Sequence, residues 1–183
     1  MLYTRQIFRS AALTGLVAFV ILGVSACGGS SSSGSDNNKA DVAFVQHMLP
    51  HHMHGVEMAT LAVQKGSTPA VRDLGTRIAD QQRKEIGLMQ GFLKDYDAKS
   101  GPPAPAVKMK ADEMQIAKLK SARGAAFDRD FLMFMMGHHL SAIDMAQIEQ
   151  TSGQAADAKK LATAIVSKQE TEAKEMQRLL VAG

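Results

Sequence analysis

DVAFVQHMLPHHMHGVEMA (residues 41–59) returns 87 residues later as DRDFLMFMMGHHLSAIDMA (residues 128–146). Asp41, Phe44, Met48, His51, His52, Met58 and Ala59 recur as Asp128, Phe131, Met135, His138, His139, Met145 and Ala146. The match continues without a gap through Gly66 and Gly153, Leu74 and Leu161, Ile78 and Ile165, Gln82 and Gln169, Glu85 and Glu172, and Met89 and Met176. A period this long, carrying two helical stretches per copy, reads as a duplicated helical hairpin. The repeated residues include His, Met and Glu, so architecture and candidate site come from one signal.

Working outward, Asp41 to Lys65 reads as a helix with Asp41 as N-cap, its apolar residues in helical rhythm. Gly66-Ser67-Thr68-Pro69 breaks it, and Pro69 suits the first turn of a second helix, Ala70 to about Leu93. Asp95 to Ala111, with Gly101-Pro102-Pro103-Ala104-Pro105, is expected to be an irregular crossover, followed by a short helix from Asp112 to about Ala122. A third long helix is expected from Ala125 or Asp128 to Gln150, and a fourth from about Ala155 to Val181. No stretch alternates like a strand. The expected fold is all-α, a four-helix bundle of two antiparallel hairpins (41–94 and 125–181) joined by a longer crossover (95–124).

Pro50 is the local conflict, because inside a helix it removes a donor and crowds the preceding turn. Its counterpart is Gly137, so both copies weaken the helix directly before the His-His pair. The sequence leaves two readings: a kink that bares carbonyls or re-aims His51 and His138, or a first helix that starts at Pro50.

At about 100° per residue, His47, His51, His54 and Met58 share a sector of roughly 60°. Ile78, Gln82, Glu85 and Met89 do the same on the second helix, and Phe134, His138, Ser141, Met145 with Ile165, Gln169, Glu172, Met176 form the second set. Facing stripes of this kind bury imidazole, thioether, carboxamide and carboxylate groups, which need partners. One solution is a pair of buried hydrogen bonds, His51 to Glu85 and His138 to Glu172. The other is a metal. The chain has 6 histidines, in two clusters, and 12 methionines, several of them beside the histidines. Thioether plus imidazole is a ligand set for Cu(I) or Ag(I). The candidate ligands are His47, Met48, His51, His52, His54, Met58, Met135, His138, His139 and Met145, with Gln82, Glu85, Met89, Gln169, Glu172 and Met176 as auxiliary groups.

Residues 1–27 read as a lipoprotein signal peptide: Arg5 and Arg9, an apolar run from Ala11 to Val24, then Val24-Ser25-Ala26-Cys27. The tetrapeptide looks like a lipobox, which makes Cys27 the acylated first residue of an exported, membrane-anchored protein. Cys27 is the single cysteine, so no intrachain disulfide can form. Residues 28–40 are a flexible tether, rich in Gly and Ser, and 41–183 form the domain. Of 21 basic residues against 18 acidic, Arg5 and Arg9 belong to the signal, and the near balance that remains argues against nucleic acid. The sequence names no protein partner.

Phe44-x3-Met48-x-Pro50-His51-His52-x5-Met58-Ala59 resembles the signature of the bacterial "domain of unknown function 305" family. So does Phe127-Asp128-x2-Phe131-Leu132-x2-Met135-x2-His138-His139-x3-Ile143-x-Met145-Ala146. The resemblance spans about residues 40–181. It implies a ferritin-like four-helix bundle and, as in some members, copper or silver binding in the bacterial envelope. It implicates Met48, His51, His52, Met58, Met135, His138, His139 and Met145. His47 and His54 have no histidine counterpart in the second copy, and their role rests on the stripe alone.

Two other functions compete with copper binding. An envelope interaction module would use the histidines as core hydrogen bonders. A di-iron enzyme needs Glu-x-x-His motifs on its helices, and neither copy has one. No catalytic triad or other nucleophilic constellation is evident, so the chain is expected not to be an enzyme.

Overall fold

The computed structural model describes residues 36–99, 101 and 106–182, the side chains of 106–109 excepted. Five helices follow one another: α1 Lys39–Lys65, α2 Pro69–Asp95, α3 Ala106–Ser121, α4 Gly124–Ser152 and α5 Ala156–Ala182. Among the described residues there is no strand, and no helix is long and apolar enough to cross a membrane. The signal, Cys27 and most of the tether lie outside the described residues.

Two boundaries differ from the sequence expectation. The crossover is shorter, because α3 begins at Ala106 rather than Asp112. The first helix is capped by Asn38, not Asp41. Asn38 accepts from Ala40 N–H and Asp41 N–H, while the Asp41 carboxylate accepts from Asn38 N–H. In this capping box Asp41 is the third helical residue, and each side chain satisfies an orphan donor of the other's backbone.

Helix α1 packs on α2, α4 packs on α5, and α1 packs on α4; α3 lies against α1 and α4. Gly75 lets α2 approach α1 closely, since a Cβ there would come within 2.9 Å of the Ala59 carbonyl and the Ala62 methyl. The repeat carries through to the contacts. Asp128 accepts from Ser67 N–H (2.8 Å) and Thr68 N–H (3.2 Å), at the turn of the first hairpin. Asp41 accepts from Gln154 N–H (3.0 Å) and Ala155 N–H (2.9 Å), at the turn of the second. Each hairpin thus caps a helix start of the other, where backbone donors are otherwise unsatisfied.

The core divides into two apolar clusters. Met58, Leu74, Ile78, Phe127, Phe131, Met135 and Met176 belong to one, at the end where α1 finishes and α4 begins. Phe44, Met48, Met89, Leu93, Leu161 and Ile165 belong to the other. Repeated residues fall in opposite clusters: Phe44 and Phe131, Met48 and Met135, Met89 and Met176. That exchange is the mark of a pseudo-twofold axis crossing the bundle between the clusters.

Helix α1 runs unbroken through Pro50, so the reading in which the helix starts there is corrected. The proline leaves the Gln46 carbonyl without its helical donor. Gly101 packs on that carbonyl, where a Cβ would come within 2.7 Å, and the Gln46 amide donates to the Lys99 carbonyl at 2.9 Å. The crossover therefore covers the backbone that Pro50 bares.

Candidate metal centre

Between the apolar clusters lies a layer of buried polar side chains: His51 and His52 of α1, Gln82 and Glu85 of α2, His138 and His139 of α4, Gln169 and Glu172 of α5. Neighbouring residues on a helix point about 100° apart. Since α1 touches both α2 and α4, its two histidines meet different partners. His52 turns to α2 and bonds Glu85 through Nε2 at 2.8 Å; His139 bonds Glu172 identically, also at 2.8 Å. Glu85 further accepts from the Gln81 amide, and Lys168 lies 3.4 Å from Glu172. The pairings considered from the sequence, His51 with Glu85 and His138 with Glu172, are thus displaced by one residue. The stripe argument assumed one inward face per helix, whereas α1 and α4 each bury two.

His51 and His138 turn to the α1–α4 interface and stack on each other, ring centroids 3.7 Å apart and planes inclined by 27°. The His54 ring stands 5.7 Å from that of His138. His138 Nε2 lies 2.8 Å from the His51 carbonyl oxygen. A carbonyl only accepts, so Nε2 carries the hydrogen and, in the neutral ring, Nδ1 carries the lone pair. That Nδ1 is buried and has no hydrogen-bond partner. Burial, and then the neighbouring His139, His52 and His54, hold His138 well below the usual histidine range, against the pull of the His51 carbonyl. The ring is therefore neutral at physiological pH, the form in which imidazole binds metals.

A cavity of about 230 Å³ opens beside the stack. His51, His54 and His138 form one wall, Asp112 and Gln115 of α3 another, and Met133 lies at its edge, half exposed. His54 Nδ1 is 3.8 Å from Asp112. The proposed ligands consequently fall into three groups. His51, His54 and His138 come together at the cavity. His52 and His139, with the auxiliary Glu85 and Glu172, form two carboxylate pairs. Met48, Met58 and Met135 are fully buried in the apolar clusters with Met89 and Met176, Met145 packs on their edge, and His47 is exposed. Met133, Asp112 and Gln115 were missed as site residues. Met133 stood beside the second histidine pair in sequence, but only the position of α3 brings the other two there.

Three imidazole rings, one carrying an unpartnered lone pair, and a thioether fit a soft or borderline ion. The stacked rings face each other rather than a shared point, and among the described residues no three His, Cys, Asp or Glu side chains are arranged to hold an ion. An ion held by both stacked rings would need one of them to turn.

A duplicated-hairpin helical bundle with a histidine layer at its centre defines the class of protein. The chain belongs to the DUF305 family, a domain of unknown function whose model matches residues 41–180. No curated protein matches it. A DUF305 fragment from Deinococcus radiodurans is 27% identical with a TM-score of 0.74, covering 80% of this chain and 98% of the fragment. A DUF305 protein from Streptomyces coelicolor, described as secreted, is 28% identical with a TM-score of 0.72, covering 78% and 91%. CopM in its Cu(I)-bound form is 28% identical with a TM-score of 0.65, covering 76% and 94%. CopM has also been solved with Cu(II) and with silver bound.

Proposed function

We propose that this chain is an exported copper-binding protein that takes Cu(I), and Ag(I) in its place, for buffering, sequestration or resistance, without turning over a substrate. The observation that carries the reading is the His51–His138 stack, with the unpartnered Nδ1 of His138 beside a cavity shared with His54 and Met133. Cu(I) accepts few, soft ligands, and a neutral imidazole with a thioether meets that need without a carboxylate. The CopM structures with bound copper and silver support the same chemistry. Export is supported by the leader and by the description of the Streptomyces relative as a secreted protein. Acylation of Cys27, which would tether the domain to a membrane, belongs to this proposal, and a soluble Cys27→Ser protein would support it.

The test is an anaerobic Cu(I) titration against a competing chelator. His138→Ala and His54→Ala should each weaken binding by about tenfold or more, equivalent to about 1.4 kcal/mol. Met58→Ala should leave affinity unchanged while lowering stability by about 2–5 kcal/mol, as a buried truncation does. Parent-like affinity in both folded histidine variants would overturn the proposed site.

A second reading, an envelope interaction module, draws on a groove of about 490 Å³ at one end of the bundle, whose lining includes Val71, Leu132, Leu179 and Leu180. It would be preferred if the parent bound no copper in that titration.

A further inference from the structure

Gln82 is the buried group in the histidine layer that the fold leaves least satisfied. It is 2% exposed, and neither its amide nitrogen nor its carbonyl oxygen has a hydrogen-bond partner in the protein. Burying a carboxamide in that state costs about 1–3 kcal/mol. Leu or Met would fill the same space without that cost, so a ligand is the natural account of the amide.

The position of the amide says which ligand. A Cβ on Gly55 would collide with Gln82 Oε1 and would come within 2.7 Å of His138 Cε1. The carboxamide oxygen and that edge of the His138 ring therefore share one notch in α1, which exists because residue 55 has no side chain. Cε1 lies between the two ring nitrogens, Nε2, which is engaged by the His51 carbonyl, and Nδ1, whose lone pair is unpartnered. Nδ1 is therefore the nitrogen of that ring left to share a ligand with Gln82. The second copy lacks this notch, since the counterpart of Gly55 is Ala142. An amide oxygen is a poor partner for Cu(I), but it joins imidazole nitrogens in the tetragonal N,O sets that suit Cu(II).

We infer that Gln82 is a specificity-determining donor of the histidine site, its Oε1 joining His138 on the oxidised ion so that the site holds Cu(II) as well as Cu(I). The inference rests on the copper reading above and adds an oxygen donor on α2 to the imidazoles of α1 and α4. Its asymmetry follows from Gly55: Gln169 occupies the repeated position but faces an alanine-bearing helix.

The experiment is a pair of competition titrations, aerobic with Cu(II) and anaerobic with Cu(I), on the purified parent, Gln82→Leu, Gln82→Met and Gln169→Leu, with Cu(II) electron paramagnetic resonance and thermal melts alongside. Gln82→Leu should weaken Cu(II) by about tenfold or more, alter the Cu(II) spectrum, and change Cu(I) affinity by less than about threefold. Gln82→Met, which exchanges oxygen for sulfur at similar length, should lose Cu(II) and retain or gain Cu(I). Gln169→Leu should leave the Cu(II) spectrum as in the parent. Unchanged Cu(II) binding in both folded Gln82 variants, or an equal fall for both oxidation states, would overturn the inference while leaving the copper reading intact. So would a parent that binds Cu(I) alone. A parent that binds neither ion would instead overturn the copper reading itself, and the inference with it.

Discussion

The two hairpins share a fold and divide over chemistry. Positions that match across the repeat hold the bundle together: Asp41 and Asp128 cap each other's hairpins, and His52–Glu85 and His139–Glu172 are the same pair made twice. Positions that differ set the surroundings of the matched His51–His138 stack. His54 faces Asp112, while its counterpart is Ser141; Gly55 opens a notch where the other copy has Ala142; Met133 stands where the first copy has Gln46. Helix α3, present once, covers one side only. The comparison separates framework from site better than residue type does, because histidine serves both.

The largest effect should come from breaking the matched pairs. Glu85→Ala and Glu172→Ala each leave a buried histidine without its hydrogen-bond partner, which should cost about 1.5–3 kcal/mol. Urea unfolding would check this, and strongly unequal losses would mean that the two pairs are not equivalent supports.

A smaller loss is expected at the matched caps. Asp128→Ala strips two backbone donors at the first turn and should cost about 1–2 kcal/mol. Asp41→Ala should cost at least as much, because Asp41 accepts from Asn38 N–H as well as from Gln154 N–H and Ala155 N–H, and its loss leaves the buried Glu149 without that neighbour. Burial works against ionisation of Asp41, yet hydrogen bonds from Asn38, Glu149, Ala155 and Gln154 keep it below the usual range. Calorimetry on both variants at neutral pH would sharpen or reverse that order.

A further effect is a pH dependence that Glu149 confines to one copy. The repeat counterpart of Glu149 is Ala62, so the acid has no equivalent. Burial, then the Asp41 side chain, raises Glu149 to about 8, with Lys159 opposing. The neighbouring Tyr96 hydroxyl, raised to about 12 by burial and by these acids, stays neutral throughout. A folded acid with a raised pKa binds a proton that the unfolded chain has released. Its contribution is complete below the ordinary carboxylate range and is lost as pH rises toward about 8. Relative to Glu149→Gln, the parent should therefore lose melting temperature between pH 5 and pH 8, since the opposite trend from His138, held neutral in the fold, is common to both proteins. An equal change in both proteins would remove Glu149 as the cause.

Helix positions, the hairpin turns and the duplication were legible in the sequence, because apolar period, Gly-Ser-Thr-Pro punctuation and an ungapped repeat are local or additive signals. Histidine as the candidate chemistry was legible too, from its confinement to two clusters. Which histidine does what was not. A helix wheel shows that His51 and His52 point in different directions, but not that α1 is flanked on both sides, and that neighbourhood sends one ring to a glutamate and the other to a second ring. The methionines show the same limit: Met48 and Met58, two to three turns apart on α1, end in opposite apolar clusters. Burial is decided by the far side of the interface, and the far side belongs to another part of the chain. The sequence by itself determined the bundle and its internal symmetry; only the packing of α1 on α4 and the placement of α3 decided where that symmetry breaks.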